Sequence, residues 1–158
     1  MKKELLKGFT MLLLVVVIAL ATAVASANAQ SAKNVVADIP FEFSVGYKTM
    51  PAGEYSVRSI VSAGDALMIQ SADAKVTALR QSEATTKMKN NNHARLVFHR
   101  YGERYFLAEV WNGADSAGRQ LLKSQEERTI ESELASISSQ GQTAKSTFEI
   151  VEVAAINR

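Results

Sequence analysis

The most restrictive feature of this sequence is an apolar residue at every second position between Val35 and Val45, with four of the five residues in between not hydrophobic. Every second position of this stretch is apolar: Val35, Ala37, Ile39, Phe41, Phe43 and Val45. Successive side chains of a β-strand point to opposite faces, so this spacing predicts a strand with one buried face. Pro40 cannot donate a backbone hydrogen bond, which favours an edge position or a bulge. We therefore expect 35–45 to form an exposed edge of a sheet.

Similar short stretches recur along the chain, separated by turn residues. We predict six further strands, near 54–61, 66–71, 76–81, 93–100, 104–111 and 148–155. The two most apolar, on either side of Gly102, read as a β-hairpin. A three-residue loop there would pair Phe98 with Phe106. The same loop would place Arg100 opposite Arg104, so the register stays open.

One segment near the C-terminal end has helical spacing. Ser124 and Glu127 have the spacing of a capping box. Ile130, Leu134 and Ile137 then follow at i, i+4 and i+7, which places them on one stripe of a helix. The sequence thus predicts a mainly β fold, an antiparallel sandwich or small barrel of about seven strands with one helix near the C-terminus. Both architectures bury many one-sided strands, and the strand count does not choose between them.

The first 29 residues have the three parts of a secretory signal: three early lysines, an apolar run from Met11 to about Ala25, and small residues up to Ala29. Cleavage after Ala29 or after Ala27 fits the small-residue rule. An uncleaved anchor is the alternative, but the run is shorter than the roughly 20 apolar residues that span a bilayer. We expect 1–29 to be a signal peptide and 30–158 one domain, periplasmic or extracellular after cleavage. Membrane contact is expected only through the signal.

Composition narrows the class of partner. Cleavage after Ala29 leaves 129 residues with 15 basic and 15 acidic side chains. A nucleic-acid-binding domain normally carries a basic footprint, so we expect no nucleic acid partner. The chain has no cysteine, so stability must come from apolar burial and β pairing rather than from disulfides. The two histidines, His93 and His99, would lie about 20 Å apart on a strand, too far to share a metal. We expect neither a metal nor a cofactor.

No catalytic motif is evident, neither a nucleophile elbow nor a glycine-rich phosphate loop, and no catalytic residue is predicted. The densest cluster of polar and aromatic residues lies around the hairpin: Arg95, His99, Arg100, Tyr101, Arg104 and Tyr105. Arginine and tyrosine are favoured at interfaces, so one interpretation is a binding patch for an acidic or sugar-like ligand. The other is that these residues cover the end of the hairpin, with their stems packed and their polar heads in solvent.

Four stretches together resemble a group of small exported bacterial proteins to which no activity is assigned: Phe41–Gly46, Met50–Val57, Leu96–Leu107 and Leu122–Arg128. The resemblance spans roughly residues 35 to 128. It implies a signal peptide and a β-rich domain, and it transfers no residue role.

The sequence predicts an exported, non-enzymatic β domain that acts by binding or as an envelope component. The partner is unknown, with a protein or an envelope component as the candidates. Two alternatives stay open: a small β-barrel around an apolar ligand, and an enzyme of unrecognised type.

Overall fold

The computed structural model describes residues 34–60, 65–86, 93–113, 117–138 and 148–158. The predicted signal peptide and both of its cleavage sites lie outside these ranges. The strands are β1 Val35–Ile39, β2 Phe43–Val45, β3 Lys48–Met50, β4 Gly53–Ser59, β5 Ala66–Ser71, β6 Thr77–Thr86, β7 Ala94–Tyr101, β8 Arg104–Asn112, β9 Ala117–Leu121, β10 Glu149–Ala154 and β11 Ile156–Asn157. The helix α1 covers Gln125–Ser138. Within the described ranges, α1 is too short and too polar to cross a bilayer.

The strands form one hydrogen-bonded series in the order β10-β7-β8-β9-β6-β5-β4-β1-β11. The short hairpin β2–β3 joins it where β2 runs parallel to β8. The predicted mainly β class is confirmed. The series does not close into a barrel, because β10, which pairs with β7 at one end, forms no ladder with β1 near the other end in the described residues.

Strand β6 belongs to two halves of the sheet. Residues 77–81 pair with β5, whereas 82–86 pair with β9. The sheet therefore folds over at the middle of β6, and the inner faces of the two halves share one apolar core. The arrangement is sandwich-like, with a core filled by side chains that alternate along the strands.

Interlocked aromatic rings fill much of this core. The ring of Phe43 meets Tyr55 and Phe98 edge-on, with centroids 5.1 and 5.4 Å apart. Phe41 meets Phe98 in the same way at 5.2 Å. Edge-to-face contacts at these distances add to the energy of burial. The hydroxyl of Tyr55 donates to the carbonyl of Pro51 at 2.7 Å, so the one polar atom of that ring is satisfied.

The expectation that 35–45 is an exposed edge was wrong. Strand β1 is hydrogen-bonded on both sides, with β4 along its whole length and with β11 at Val35 and Val36. Pro40 lies in the break between β1 and β2, which is how the chain accommodates its missing donor. The described residues form eleven strands rather than about seven, partly because this stretch and the C-terminal one are each divided in two.

The hairpin β7–β8 has a two-residue turn rather than a three-residue one. Tyr101 pairs with Arg104, and Gly102 takes a positive φ of 62° in the turn. Beyond the turn the register shifts, since Phe98 faces Leu107 while Val97 faces Glu109. Ala108 is therefore the extra residue of a β-bulge, which changes the register between the turn and the far end of the hairpin.

Candidate functional site

The structure divides the six residues of the sequence-predicted patch between the two faces of the β7–β8 hairpin. Side chains alternate along β7, so Arg95, His99 and Tyr101 share the face opposite to that of Leu96 and Phe98 in the core. Arg104 pairs with Tyr101 and lies on this outer face. Arg100 and Tyr105 pair with each other on the core face. The six do not form one surface.

On the core face, Arg100 and Tyr105 close the open end of the core. The guanidinium of Arg100 lies 5.5 Å from the centre of the Tyr105 ring, and the other face of that ring stacks on Phe41 at 4.0 Å. Arg100 also approaches Glu149 at 3.4 Å and Glu103 at 3.6 Å. Both faces of Tyr105 are therefore occupied, so its ring is no free platform for a ligand.

On the outer face, the carboxylate of Glu127 is the centre of a buried polar cluster. Its Oε1 atom lies 2.8 Å from Nδ1 of His99 and accepts a hydrogen bond from the Tyr101 hydroxyl at 3.4 Å. Glu127 is only 4% exposed. Burial is the main cause that raises the pKa of Tyr101 above its ordinary value, and the charges of Glu127 and Glu131 add to it. The phenol therefore stays a hydrogen-bond donor.

Sequence reasoning missed Glu127 as the partner of His99. Its one signal was the capping-box spacing, and half of that prediction is confirmed: the Ser124 hydroxyl accepts the Glu127 amide at 3.0 Å. In a complete capping box the Glu127 carboxylate would accept a hydrogen bond from the Ser124 amide. Here it instead reaches His99 and Tyr101 on the sheet. The first turn of α1 thus fastens the helix to β7.

Further contacts tie α1 and its flanks together. Arg104 forms an ion pair with Glu126, and the ammonium of Lys123 bonds both carboxylate oxygens of Glu131 at 2.7 and 2.8 Å. The ring of Phe148, just before β10, lies 4.1 Å from that of His99. The polar groups around His99 therefore bond mainly to one another.

Further along the outer face, Trp111 lies between a glycine and an arginine. A Cβ atom on Gly118 would come within 2.6 Å of the indole ring, so the ring rests directly on the backbone of β9. The Arg95 guanidinium lies 5.0 Å from the ring centre, and the indole N–H donates to Glu109 at 2.7 Å. Arg95 is itself 5% exposed and pairs with Glu152 at 3.5 Å. Trp111, Arg95, Glu109 and Glu152 thus contact one another within the sheet.

The pairing of His99 with a buried carboxylate is one feature that catalytic histidines share. A buried carboxylate on Nδ1 fixes the orientation of an imidazole, as in many general bases. Among the described residues, however, no three histidine, aspartate or glutamate side chains are placed to hold a metal ion. The hydroxyl that donates to the Glu127 carboxylate belongs to Tyr101, whose raised pKa makes it a poor nucleophile. The arrangement suits holding α1 in place.

Comparison with known proteins gives no relative: no family model, no curated protein and no solved structure matches the chain. The resemblance to small exported bacterial proteins stays a prediction.

Proposed function

We propose that this chain is an exported, non-enzymatic β domain that acts in the periplasm or outside the cell by binding a protein or an envelope component through its surface. The observation that carries this proposal is that the polar side chains on the outer face hydrogen-bond to the helix α1. His99 and Tyr101 both bond to the carboxylate of Glu127. Groups that a catalytic site would point at a substrate fix a helix to a sheet instead.

The packing of the core supports surface binding over the alternative of an apolar ligand inside a small barrel. Rings of Phe41, Phe43, Tyr55 and Phe98 interlock at the centre. A site for a small apolar molecule needs a cavity of several hundred Å³, and these rings occupy the space where such a cavity would lie.

The test is to express the full chain with its own N-terminus in a bacterial host and to record a native mass spectrum of the purified protein. A mass that begins at Gln30 or Asn28 supports export, whereas an intact Met1 contradicts it. Photo-crosslinking residues at exposed positions such as Tyr47 and Ile150 should give adducts with a macromolecule of the envelope. A small molecule that leaves on denaturation would favour the ligand-binding alternative instead.

A further inference from the structure

The strand β10 has one edge that pairs with nothing in the described part of the chain. On its other side it pairs with β7 over its six residues. The Ala155 amide continues that ladder by donating to the Ala94 carbonyl at 2.9 Å. Backbone bonds of an antiparallel pair alternate with a two-residue repeat, so Glu149, Val151 and Val153 face β7. Ile150, Glu152 and Ala154 therefore direct their amide and carbonyl groups away from β7.

Strands β10 and β11 follow each other along the chain, and the free edge of β10 lies on the same side as the edge by which β11 pairs with β1. Asn34 and Arg158 exchange backbone bonds at 3.1 and 2.8 Å, and Val36 lies opposite Ile156. In the same register Asp38 would face Ala154, but the pairing ends before it. Beyond that point β1 and β10 remain neighbours, but no ladder joins them in the described part of the chain, and the boundary between them is here called the seam.

The chain does little to block this edge. Ile150 is 63% exposed, although edge strands are usually protected by short length, by lysine or by proline. Glu149 and Glu152 are the charged residues of β10, and both are held by arginines of β7, at 3.4 and 3.5 Å. An unblocked edge of six residues is long enough to serve as a template for another strand.

The charges around the seam are mainly acidic. Asp38 lies directly opposite Glu54 across β1 and β4, an arrangement of like charges that is unfavourable without a cation nearby. Glu42 is exposed just beyond β1. None of these three forms an ion pair within the described ranges. An occupant with positive charge would relieve this repulsion.

The same charges disfavour a second copy of the chain as the occupant. Facing residues in an antiparallel pair share a face, so self-pairing would set Glu152 against itself or against Ile150. Such a ladder would bring the Glu152 side chains of the two copies together on one face, and like charges in facing positions destabilise a sheet.

We propose that the free edge of β10 binds an extended segment of a partner protein, in which basic and apolar side chains alternate, by addition of a strand to the sheet. This inference rests on the proposed surface-binding function and names its site and the chemistry of its partner. The ladder bonds to Ile150 and Glu152 supply affinity, while Asp38 and Glu42 select for positive charge.

The test uses fluorescent peptides of alternating lysine and valine, with alternating glutamate and valine of the same length as the control. Ile150→Pro removes an edge amide without removing a bond to β7, whereas Ile150→Thr keeps that amide and a strand-forming side chain. We expect the basic peptide to bind, and Ile150→Pro to weaken binding about tenfold relative to Ile150→Thr. Circular dichroism and thermal unfolding establish that both variants keep the fold. Asp38→Asn with Glu42→Gln should lower both the affinity and its salt dependence.

Equal binding by the two variants, or equal affinity for the acidic peptide, would overturn the inference. A native dimer that Ile150→Pro abolishes would also overturn it, in favour of a second copy. The crosslinking experiment tests the proposed function independently of the β10 site. Crosslinks from Tyr47 without any from Ile150 would support surface binding and contradict only the β10 site.

Discussion

At the scale of single residues, the contact of Trp111 with Gly118 tolerates no added atom. A methyl group on Gly118 would lie 2.6–2.7 Å from three ring carbons, so Gly118→Ala must displace the indole. Overpacking of this kind costs about 1–3 kcal/mol. Trp111 is the one tryptophan of the chain, and its fluorescence reports directly on the displacement. We expect lower stability in urea and a shifted emission maximum for the native state.

A substitution at Gly102 is the control that distinguishes the effect of overpacking from the effect of backbone strain. Gly102 has a φ of 62° but open space around the position of a Cβ atom. Gly102→Ala should therefore cost about 1–2 kcal/mol through its backbone alone. Its native emission should match that of the wild type. If Gly118→Ala also left the emission unchanged, the described contact would be wrong.

Tyr101 gives a pH dependence whose sign follows from its raised pKa. The folded state holds the phenol proton more tightly than the unfolded state, where the ordinary value is 10.0. Burial of the phenol, the nearby charges of Glu127 and Glu131 and the hydrogen bond to Glu127 all favour the protonated form, so this stabilisation is fully present below pH 10 and is lost as the pH rises further. Tyr101→Phe should be less stable than the wild type at neutral pH. The difference should shrink above pH 10 in denaturant titrations, and a difference that grows would contradict this account.

At the scale of elements, α1 depends on its first turn. Ser124 accepts the Glu127 amide, and Ser124→Ala removes this cap at a cost of about 1 kcal/mol. Hydrogen exchange should accelerate first in α1, while the amides of β7 and β8 keep their protection. Ser132 is exposed on the same helix, so Ser132→Ala is the matched control and should leave exchange unchanged or slightly slower. Equal effects of the two substitutions would mean that the cap contributes nothing.

How far the sequence predicts these elements depends on the kind of signal each one carries. The helix followed from a cap and an apolar stripe, and Ile130 and Leu134 are indeed half-buried. Strand β9 was not predicted, because Ala117–Leu121 has no apolar alternation. It is held as a strand by ladders to β6 and β8 on its two sides. Pairing with neighbours overrides local pattern in this strand.

The candidate site shows the same limit. The sequence identified the polar and aromatic residues of β7 and β8, but their division between two faces depends on the two-residue turn, which sets Arg104 opposite Tyr101 and Tyr105 opposite Arg100. A shift by one residue moves every side chain to the opposite face. The partner of His99 comes from α1, 28 positions away in sequence, and no local spacing relates the two.

At the scale of the whole molecule, the C-terminal segment connects the two ends of the strand series. Its first part lies on β7 and its last part on β1, with Ala155 between them. These two strands belong to different halves of the sheet. The last few residues therefore hold the halves together, although their side chains contribute little to the core.

This role predicts that a chain ending at Ala155 loses more stability than its missing side chains would explain. The truncation removes both backbone bonds between Asn34 and Arg158 together with the rest of the β1–β11 ladder. At about 1 kcal/mol for each backbone bond, the loss in urea unfolding should be at least about 2 kcal/mol. Ile156→Ala keeps the backbone. Because that side chain is half exposed, the substitution should lower the free energy of unfolding by only about 0.5 kcal/mol. Similar losses for both variants would show that side-chain burial, and not the ladder, joins the halves. Faster exchange at the Val36 amide, with protection retained in β7, would locate the opening at the β1 end of the series.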